Sequence, residues 1–355
     1  MMQKYDIKIT RATSSNIDKV DFKNLGFVKY FTDHMLVADY KDGEWQDVRI
    51  EPYGKMEFLP AMSVLHYGQA FFEGIKAHKS ATGEGVDIFR PYDNLKRANL
   101  SADRLEMPHI PEDIFINGMR QLIEVDAQFI PTGDDEALYI RPFMFATEET
   151  LGVKASSSYR FVIILSPVGS YFPAPAKIFV EEKYTRAAPG GYGYAKAAGN
   201  YAGSLVASTE AKKAGFDQVL WTDAAEHKYV QEVGTMNIFF IVGNKALTPD
   251  LSQGTILHGV TRASIITLLK EKGIEVEERP ITLDELVTAY NNGELKEIFG
   301  TGTAAVITYV QAMQYKDTAM SFKVEDMKIA QALKQQIVDI KEERIADNHN
   351  WLVKV

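Results

Sequence analysis

Lys196 stands in a stretch that holds no other charge, Gly190-Gly191-Tyr192-Gly193-Tyr194-Ala195-Lys196-Ala197-Ala198-Gly199-Asn200-Tyr201. Glu232 follows in Gln231-Glu232-Val233-Gly234-Thr235-Met236-Asn237, which leads into the apolar run 238–242. A lysine set among Gly, Ala and Tyr is partly withdrawn from water. Withdrawal disfavours an ammonium group and leaves a nucleophilic amine, as a carbonyl cofactor requires for a Schiff base. The competing readings are structural: a surface lysine on a glycine loop, and a solvated acid at a strand edge.

Two further segments bear on the choice. In Gly254-Thr255-Ile256-Leu257-His258-Gly259-Val260-Thr261-Arg262-Ala263, a glycine precedes an amphipathic stretch. It would let an anion approach the free N–H groups and positive dipole end of a helix. Phe299-Gly300-Thr301-Gly302-Thr303-Ala304-Ala305 packs backbone donors and hydroxyls into a turn suited to an oxyanion. Taken singly, each is equally an ordinary loop or a β-turn. Neither is a Walker A loop or a complete dinucleotide fingerprint. The histidines have no metal spacing, and no serine sits in a nucleophile elbow, so His66 and His258 read as local hydrogen-bonding residues. Amine, acid and two anion cradles together suit one ligand, a phosphate monoester with an aldehyde and a ring nitrogen. That ligand is pyridoxal 5'-phosphate.

Composition narrows the setting. The 355 residues are enough for two domains, and 46% apolar with 25% charged residues is ordinary for a soluble protein. A net charge of −9 gives no general attraction to nucleic acid or anionic membrane. With no cysteine, disulfides, thiolate catalysis and Cys-ligated metals are excluded. The first residues, 1–6, lack a signal-peptide pattern, and no apolar run approaches a membrane span, so a cytoplasmic protein is expected.

The elements that must position these groups read as a mixed α/β (α+β) protein without internal repeats. Residues 35–40, 86–90, 137–146, 160–166, 178–182, 217–222, 237–242 and 305–310 are expected strands. Helices are expected over 92–106, 111–129, 200–214, 260–272 and 326–346. The segment Pro167-Val168-Gly169-Ser170-Tyr171-Phe172-Pro173-Ala174-Pro175 can continue neither a helix nor a central strand and reads as a linker. The expected organisation is a smaller N-terminal domain over 1–168, an interdomain loop over 169–176 and a larger, cofactor-binding C-terminal domain over 177–355.

The ordered blocks resemble the branched-chain amino acid aminotransferases of the class IV (fold type IV) pyridoxal-phosphate enzymes, over nearly the whole chain. They include Leu25-Gly26-Phe27, His66-Tyr67-Gly68, Phe72-Glu73-Gly74-Ile75-Lys76, Phe89-Arg90-Pro91 with Arg97, and Tyr139-Ile140-Arg141-Pro142. Arg186-Ala187-Ala188-Pro189, the lysine and acid segments, Gly259-Val260-Thr261-Arg262 and Gly300-Thr301-Gly302-Thr303-Ala304 complete them.

The resemblance implies that Lys196 holds the cofactor and moves a proton between substrate Cα and cofactor C4′. Glu232 would face the pyridine nitrogen, and Tyr201 the phenolic oxygen with Arg186 nearby. Arg97, Val260, Thr261 and Thr303 would contact the phosphate. Thr303 and Ala304 would present backbone donors to the substrate carboxylate, beside Tyr139, and Arg141 would meet the side chain of glutamate. Phe27, Phe72, Tyr201 and Thr235 would wall an apolar pocket, Tyr171 would belong to a closing loop, and Tyr67 would arrive from a second subunit of a homodimer.

The implied reaction is transfer of the amino group of L-leucine, L-isoleucine or L-valine to 2-oxoglutarate. A D-amino acid aminotransferase, an aminodeoxychorismate lyase and a non-catalytic phosphate-ligand binder are the rivals; the Glu-Val-Gly-Thr-Met-Asn block and Tyr139-Ile140-Arg141 favour the branched-chain group. Two departures stand out: Ala305-Val306-Ile307-Thr308 replaces the Cys-x-x-Cys of some relatives, and Ala198 replaces a common glycine.

Overall fold

The computed structural model describes residues 4–83, 85–134, 136–169 and 174–355. Tyr171 and half of the expected interdomain loop lie outside the described residues. The chain divides into two units. One holds Met1–Tyr171, Ala195–Gly199 and Asp339–Val355, the other Phe172–Tyr194 and Asn200–Val338. The first unit is the larger, the reverse of the expected size order, because 195–199 and 339–355 return to it.

In the first unit, strands rich in β-branched and aromatic residues form one sheet: β1 (Lys8–Ile9), β2 (His34–Lys41), β3 (Glu44–Pro52), β4 (Ala70–Phe72), β5 (Ile75–Lys79), β6 (Val86–Phe89), β7 (Ala137–Ala146) and β8 (Tyr159–Val168). Among the described residues the order is β1-β3-β2-β8-β7-β5-β6, then the C-terminal strand Leu352–Lys354, with β4 on β7. The β7/β8 pair runs without a slip from Ala137 opposite Val168 to Ala146 opposite Tyr159.

Helix α1 (Val64–Tyr67) is a single turn, and α2 (Pro91–Arg104) starts on proline, whose missing N–H costs nothing there. The α2 stripe Leu95, Ala98 and Ala102 enters the core with Leu36, Ile140 and Phe161, as its spacing predicts. The helix expected over 111–129 is broken into a wide π turn, Asp113–Asn117, then α3 (Gly118–Val125) and a 3₁₀ turn, Ala127–Phe129. A Cβ at Gly118 would meet Leu36 Cδ1 at 2.4 Å, so this segment lies hard against the sheet. The extra residue in the wide turn brings Ile114, Phe115 and Ile116 all into the core.

The second unit has a mixed sheet: β9 (Ala176–Val180), β10 (Gln218–Thr222), β11 (Val230–Val233), β12 (Asn237–Val242), β13 (Lys245–Thr248), β14 (Glu275–Glu278), β15 (Leu295–Gly302), β16 (Val306–Tyr315) and β17 (Thr318–Ser321). Its order is β11-β10-β9-β16-β15-β12-β13-β14, with β17 on β16. Strand β9 is parallel to β10 and β16, and β13 to β14; the other pairs are antiparallel. The apolar run of β12 is buried on both faces: Ile238 and Phe240 join the core with Ile298, and Phe239 stacks on Phe299 at 5.3 Å. The remaining helices are α4 (Ala198–Ala202), α5 (Leu205–Lys213), α6 (Val260–Glu271), α7 (Leu283–Asn291) and α8 (Lys328–Lys341). The helix expected over 200–214 is interrupted at Gly203-Ser204, where the Ser204 hydroxyl turns back to the Tyr201 carbonyl at 2.7 Å.

One buried acid ties the C-terminal segment to the first sheet. Asp87 on β6 lies opposite His78 on β5 and Lys354 on the C-terminal strand. Its carboxyl is fully buried, and neither oxygen meets a donor among the described residues. Burial first, then the Glu343 carboxylate, push its pKa up to about 6. A raised carboxyl pKa means the native state holds a proton that the unfolded chain has released, so stability falls as pH rises from about 4 to about 6. Thermal midpoints of Asp87→Asn and the parent, measured across that window, should be closest at the acid end and then diverge in favour of the variant. Parallel curves would contradict this.

Candidate active site

Lys196 is half-buried in the first unit, held by its own backbone. Its N–H donates to Ser101 Oγ at 2.9 Å, and its carbonyl accepts from the Phe72 N–H at 3.2 Å. Phe71 and Ala197 form an isolated antiparallel bridge. Lys196 Nζ lies 4.9 Å from the centre of the Phe72 ring, and the Arg141 guanidinium lies 4.6 Å from it, within cation–π distance. Arg141 Nη2 donates to the Tyr139 hydroxyl at 2.8 Å, while its Nε is buried without an acceptor among the described residues. The Phe27 and Tyr139 rings meet edge-on at 5.3 Å. Five of the residues expected from sequence therefore stand together: Phe27, Phe72, Tyr139, Arg141 and Lys196.

Arg97 is placed by a residue that sequence reasoning left without a role. Glu73, next to Phe72 and fully buried, accepts from Arg97 Nε at 2.8 Å and Nη2 at 2.7 Å, and from Asn94 Nδ2 at 2.8 Å. Burial alone would push the Glu73 carboxyl up. Arg97 outweighs it, with Lys196 and Asn94 adding to the effect, and holds it below the ordinary range. The signal was present as an acid directly after the apolar run 70–72, with an arginine on a following helix.

In the second unit, Glu232 on β11 is buried. Its Oε1 accepts from the Leu257 N–H at 2.9 Å and from Asn237 Nδ2 at 3.2 Å, and its Oε2 lies 3.3 Å from Arg186 Nε. That last contact is an ion pair without hydrogen-bond alignment, since Arg186 Nε has no hydrogen-bond acceptor among the described residues. The Arg186 Nη2 donates to the Thr255 carbonyl. Asn237 Nδ2 also reaches the Leu257 carbonyl at 3.0 Å, so acid, amide and the 255–257 segment form one unit.

Helix α6 begins immediately after Gly259, with no side-chain cap and no acidic residue in its first turn. The N–H groups of Val260 and Thr261 therefore sit at an open positive helix end. A Cβ at Gly259 would meet Asn237 Oδ1 at 1.9 Å, so the close approach of this turn to the Glu232 shell requires glycine. Thr303 and Ala304 lie in the turn joining β15 to β16, and β12 pairs with β15 through Asn237 opposite Thr301. Thr301 Oγ1 is buried without a partner among the described residues. Thr235 is exposed in the β11–β12 turn, and Tyr201 is half-buried at the end of α4. Tyr67 is exposed at the end of α1, where its hydroxyl donates to the Leu151 carbonyl. Tyr171 lies outside the described residues. Among those residues, no group of His, Cys, Asp or Glu is placed to hold a metal ion.

Residues 70–313 match the model of the family described as amino-transferase class IV. A probable branched-chain-amino-acid aminotransferase of Staphylococcus epidermidis is 50% identical over 344 residues, 95% of each chain. Branched-chain-amino-acid transaminase 1 of Bacillus subtilis is 48% identical over 95% of this chain and 96% of that one. The solved structure of Escherichia coli branched-chain amino acid aminotransferase matches with a TM-score of 0.76 at 26% identity, covering 91% of this chain and 99% of its own. The T.th. branched-chain amino acid aminotransferase complexed with N-(5'-phosphopyridoxyl)-L-glutamate matches with a TM-score of 0.72 at 25% identity, covering 89% and 98%.

Glu73→Gln should strip Arg97 of its buried counter-charge and destabilise the first unit by about 3–5 kcal/mol near neutral pH. Since the folded pKa of Glu73 is lowered, its contribution is present above the ordinary value of about 4.3 and is lost as pH falls through the folded value. Denaturant midpoints of variant and parent should therefore converge in acid. An equal gap at all pH values would contradict the pairing.

Proposed function

From the chain's membership of the class IV aminotransferases, in the branched-chain amino acid group, we propose that it moves the amino group of L-leucine, L-isoleucine or L-valine to 2-oxoglutarate, using pyridoxal 5'-phosphate. The products are the branched-chain 2-oxo acids and L-glutamate. The observation that carries the reading is Lys196, a half-buried amine whose backbone is bonded on both sides.

The residues fit this cofactor. Bound pyridoxal phosphate supplies an aldehyde that takes the amino group and a ring that accepts electrons from the substrate Cα–H bond. Lys196 Nζ is the base that takes the proton from substrate Cα and returns it. Glu232, held by Leu257, Asn237 and Arg186, is the acceptor for a protonated ring nitrogen. The open first turn of α6, with Val260 and Thr261, takes the phosphate, aided by Arg97 and Thr303. Tyr201 serves the phenolic oxygen, near Arg186.

Substrate choice follows from two surfaces. The Phe27, Phe72 and Tyr139 rings, with Tyr201 and Thr235, offer apolar contact to a branched side chain. Discrimination by size alone is modest, about 1–3 kcal/mol per methylene. The buried, unpaired Nε of Arg141 is suited to the second carboxylate of glutamate, while Thr303 and Ala304 offer backbone donors to the α-carboxylate.

A homodimer is part of the proposal. Around Tyr67 the surface carries Phe58, Leu59, Leu65, Leu151 and Val153, all exposed, with Val153 at 85%. A face so apolar is suited to a second copy of the chain, and would let Tyr67 and the 151–153 turn serve the partner's site. A cytoplasmic setting is also part of the proposal; among the described residues no helix is long and apolar enough to cross a membrane.

Two measurements test this reading. Lys196→Ala should lose the visible absorbance of bound cofactor and lower leucine-dependent glutamate formation by roughly 10²–10⁴-fold from the lost proton transfer alone; turnover at the parent rate would sink it. Leu151→Asp with Val153→Asp should shift the sedimentation coefficient from dimer to monomer, whereas an unchanged dimer would place the interface elsewhere.

A further inference from the structure

The second unit contains a cavity of about 340 Å³ that the proposed chemistry does not use. It lies along β11, the edge strand of the sheet. Asp223, Glu226 and Asp250 line it with Tyr229, Gln231 and Thr255, and no lysine or arginine is among its lining residues. The volume falls at the lower end of the range for small-molecule sites.

The polar groups define what would bind. Asp223 accepts four backbone N–H groups, from Ala225, Glu226, Lys228 and Tyr229, at 2.7–3.1 Å, and so is a fixed negative charge whose pKa those bonds lower against the opposing effect of burial. Asp250 Oδ1 accepts from the Ser252 N–H at 2.8 Å, and Glu226 is exposed. Gln231 is only 5% exposed, lines the cavity, and has an amide oxygen with no donor among the described residues. A half turn about the last side-chain bond exchanges its oxygen and nitrogen, so the wall can offer a ligand N–H a neutral acceptor. Three carboxylates without a cation repel an anion. A metal ion is disfavoured too, because no three carboxylate or imidazole groups among the described residues converge to hold one. What remains is an organic cation with N–H donors.

The cavity also borders the Glu232 shell. Gln231 precedes Glu232 in β11, the Thr255 carbonyl holds Arg186, and Leu257, one residue beyond Ile256 of the cavity wall, donates to Glu232. Movement of the 255–257 segment therefore changes the bonds that hold Glu232 and Arg186.

We propose that this cavity binds a small organic cation, an alkylammonium or guanidinium compound, and that its occupancy is transmitted to Glu232. The test is calorimetric titration of the holoenzyme with putrescine, agmatine and 1,4-butanediol, the last a neutral counterpart of putrescine. Saturable binding of at least one cation is expected, one per chain, with Kd on the order of 1 mM or tighter, and none of the diol. Binding of putrescine alone identifies an ammonium site, and of agmatine alone a guanidinium site. The double variant Glu226→Gln/Asp250→Asn should weaken binding roughly tenfold or more, with its activity in the absence of cation unchanged. Gln231→Leu removes an unpaired buried amide, so it should fold and likewise lose affinity. Absence of binding by either cation, equal binding of the diol, or parent-like affinity in both variants would overturn the site. The transmission is read from cofactor dissociation with and without saturating cation. A changed rate in the parent, absent in the double variant, supports it, and an unchanged rate in the parent overturns it.

Discussion

Residues 195–199 pair with the first unit although the chain on both sides of them belongs to the second, and the position of Lys196 depends on this return. Three backbone contacts hold the segment: Lys196 N–H to Ser101 Oγ, Phe72 N–H to the Lys196 carbonyl, and the bridge between Phe71 and Ala197. With donor and acceptor both engaged, the backbone at Lys196 has little freedom to rotate, and the side chain leaves it in a set direction beside the Phe72 ring. An amine at the end of four methylenes is otherwise among the least ordered groups on a protein. Here the chain fixes its root.

Within each unit the buried charges follow the same logic. Glu73 in the first unit accepts from Arg97 and Asn94, and Glu232 in the second accepts from Leu257 and Asn237 and is ion-paired with Arg186. Donors and a counter-charge offset the cost of burying a carboxylate. Arg141 Nε, buried without an acceptor among the described residues, and the first turn of α6, without a side-chain cap, are where the proposed reading puts an anionic substrate and a phosphate. Each of these two places is biased toward an anionic ligand. The β11 edge, lined by Asp223, Glu226 and Asp250, has the opposite bias.

Much of this was legible in the sequence because the strongest periodic segments are also the site's supports. Residues 137–146 and 237–242 form strands over the spans read from their residue types, and Gly259 stands directly before α6. Where sequence and structure part, tertiary contact outweighs local pattern. The stretch 111–129 has helical spacing throughout, yet Gly118 pressed against Leu36 forces a wide turn that no spacing rule contains. The return of 195–199 to the first unit is a long-range pairing with Phe71, Phe72 and Ser101, far outside any local window. Glu73 was visible only as a letter within a block. Its role required knowing that α2 brings Arg97 over β4, which spacing along the chain does not give.

In the proposed reading one amine, Lys196, carries the chemistry. Hydride reduction of the cofactor-loaded protein, followed by proteolysis and peptide mass spectrometry, reads its identity directly. A phosphopyridoxyl group on Lys196, and on no other lysine in comparable yield, is the predicted result. The label on a different lysine, or no covalent label in a protein that still transfers amino groups, would contradict the assignment.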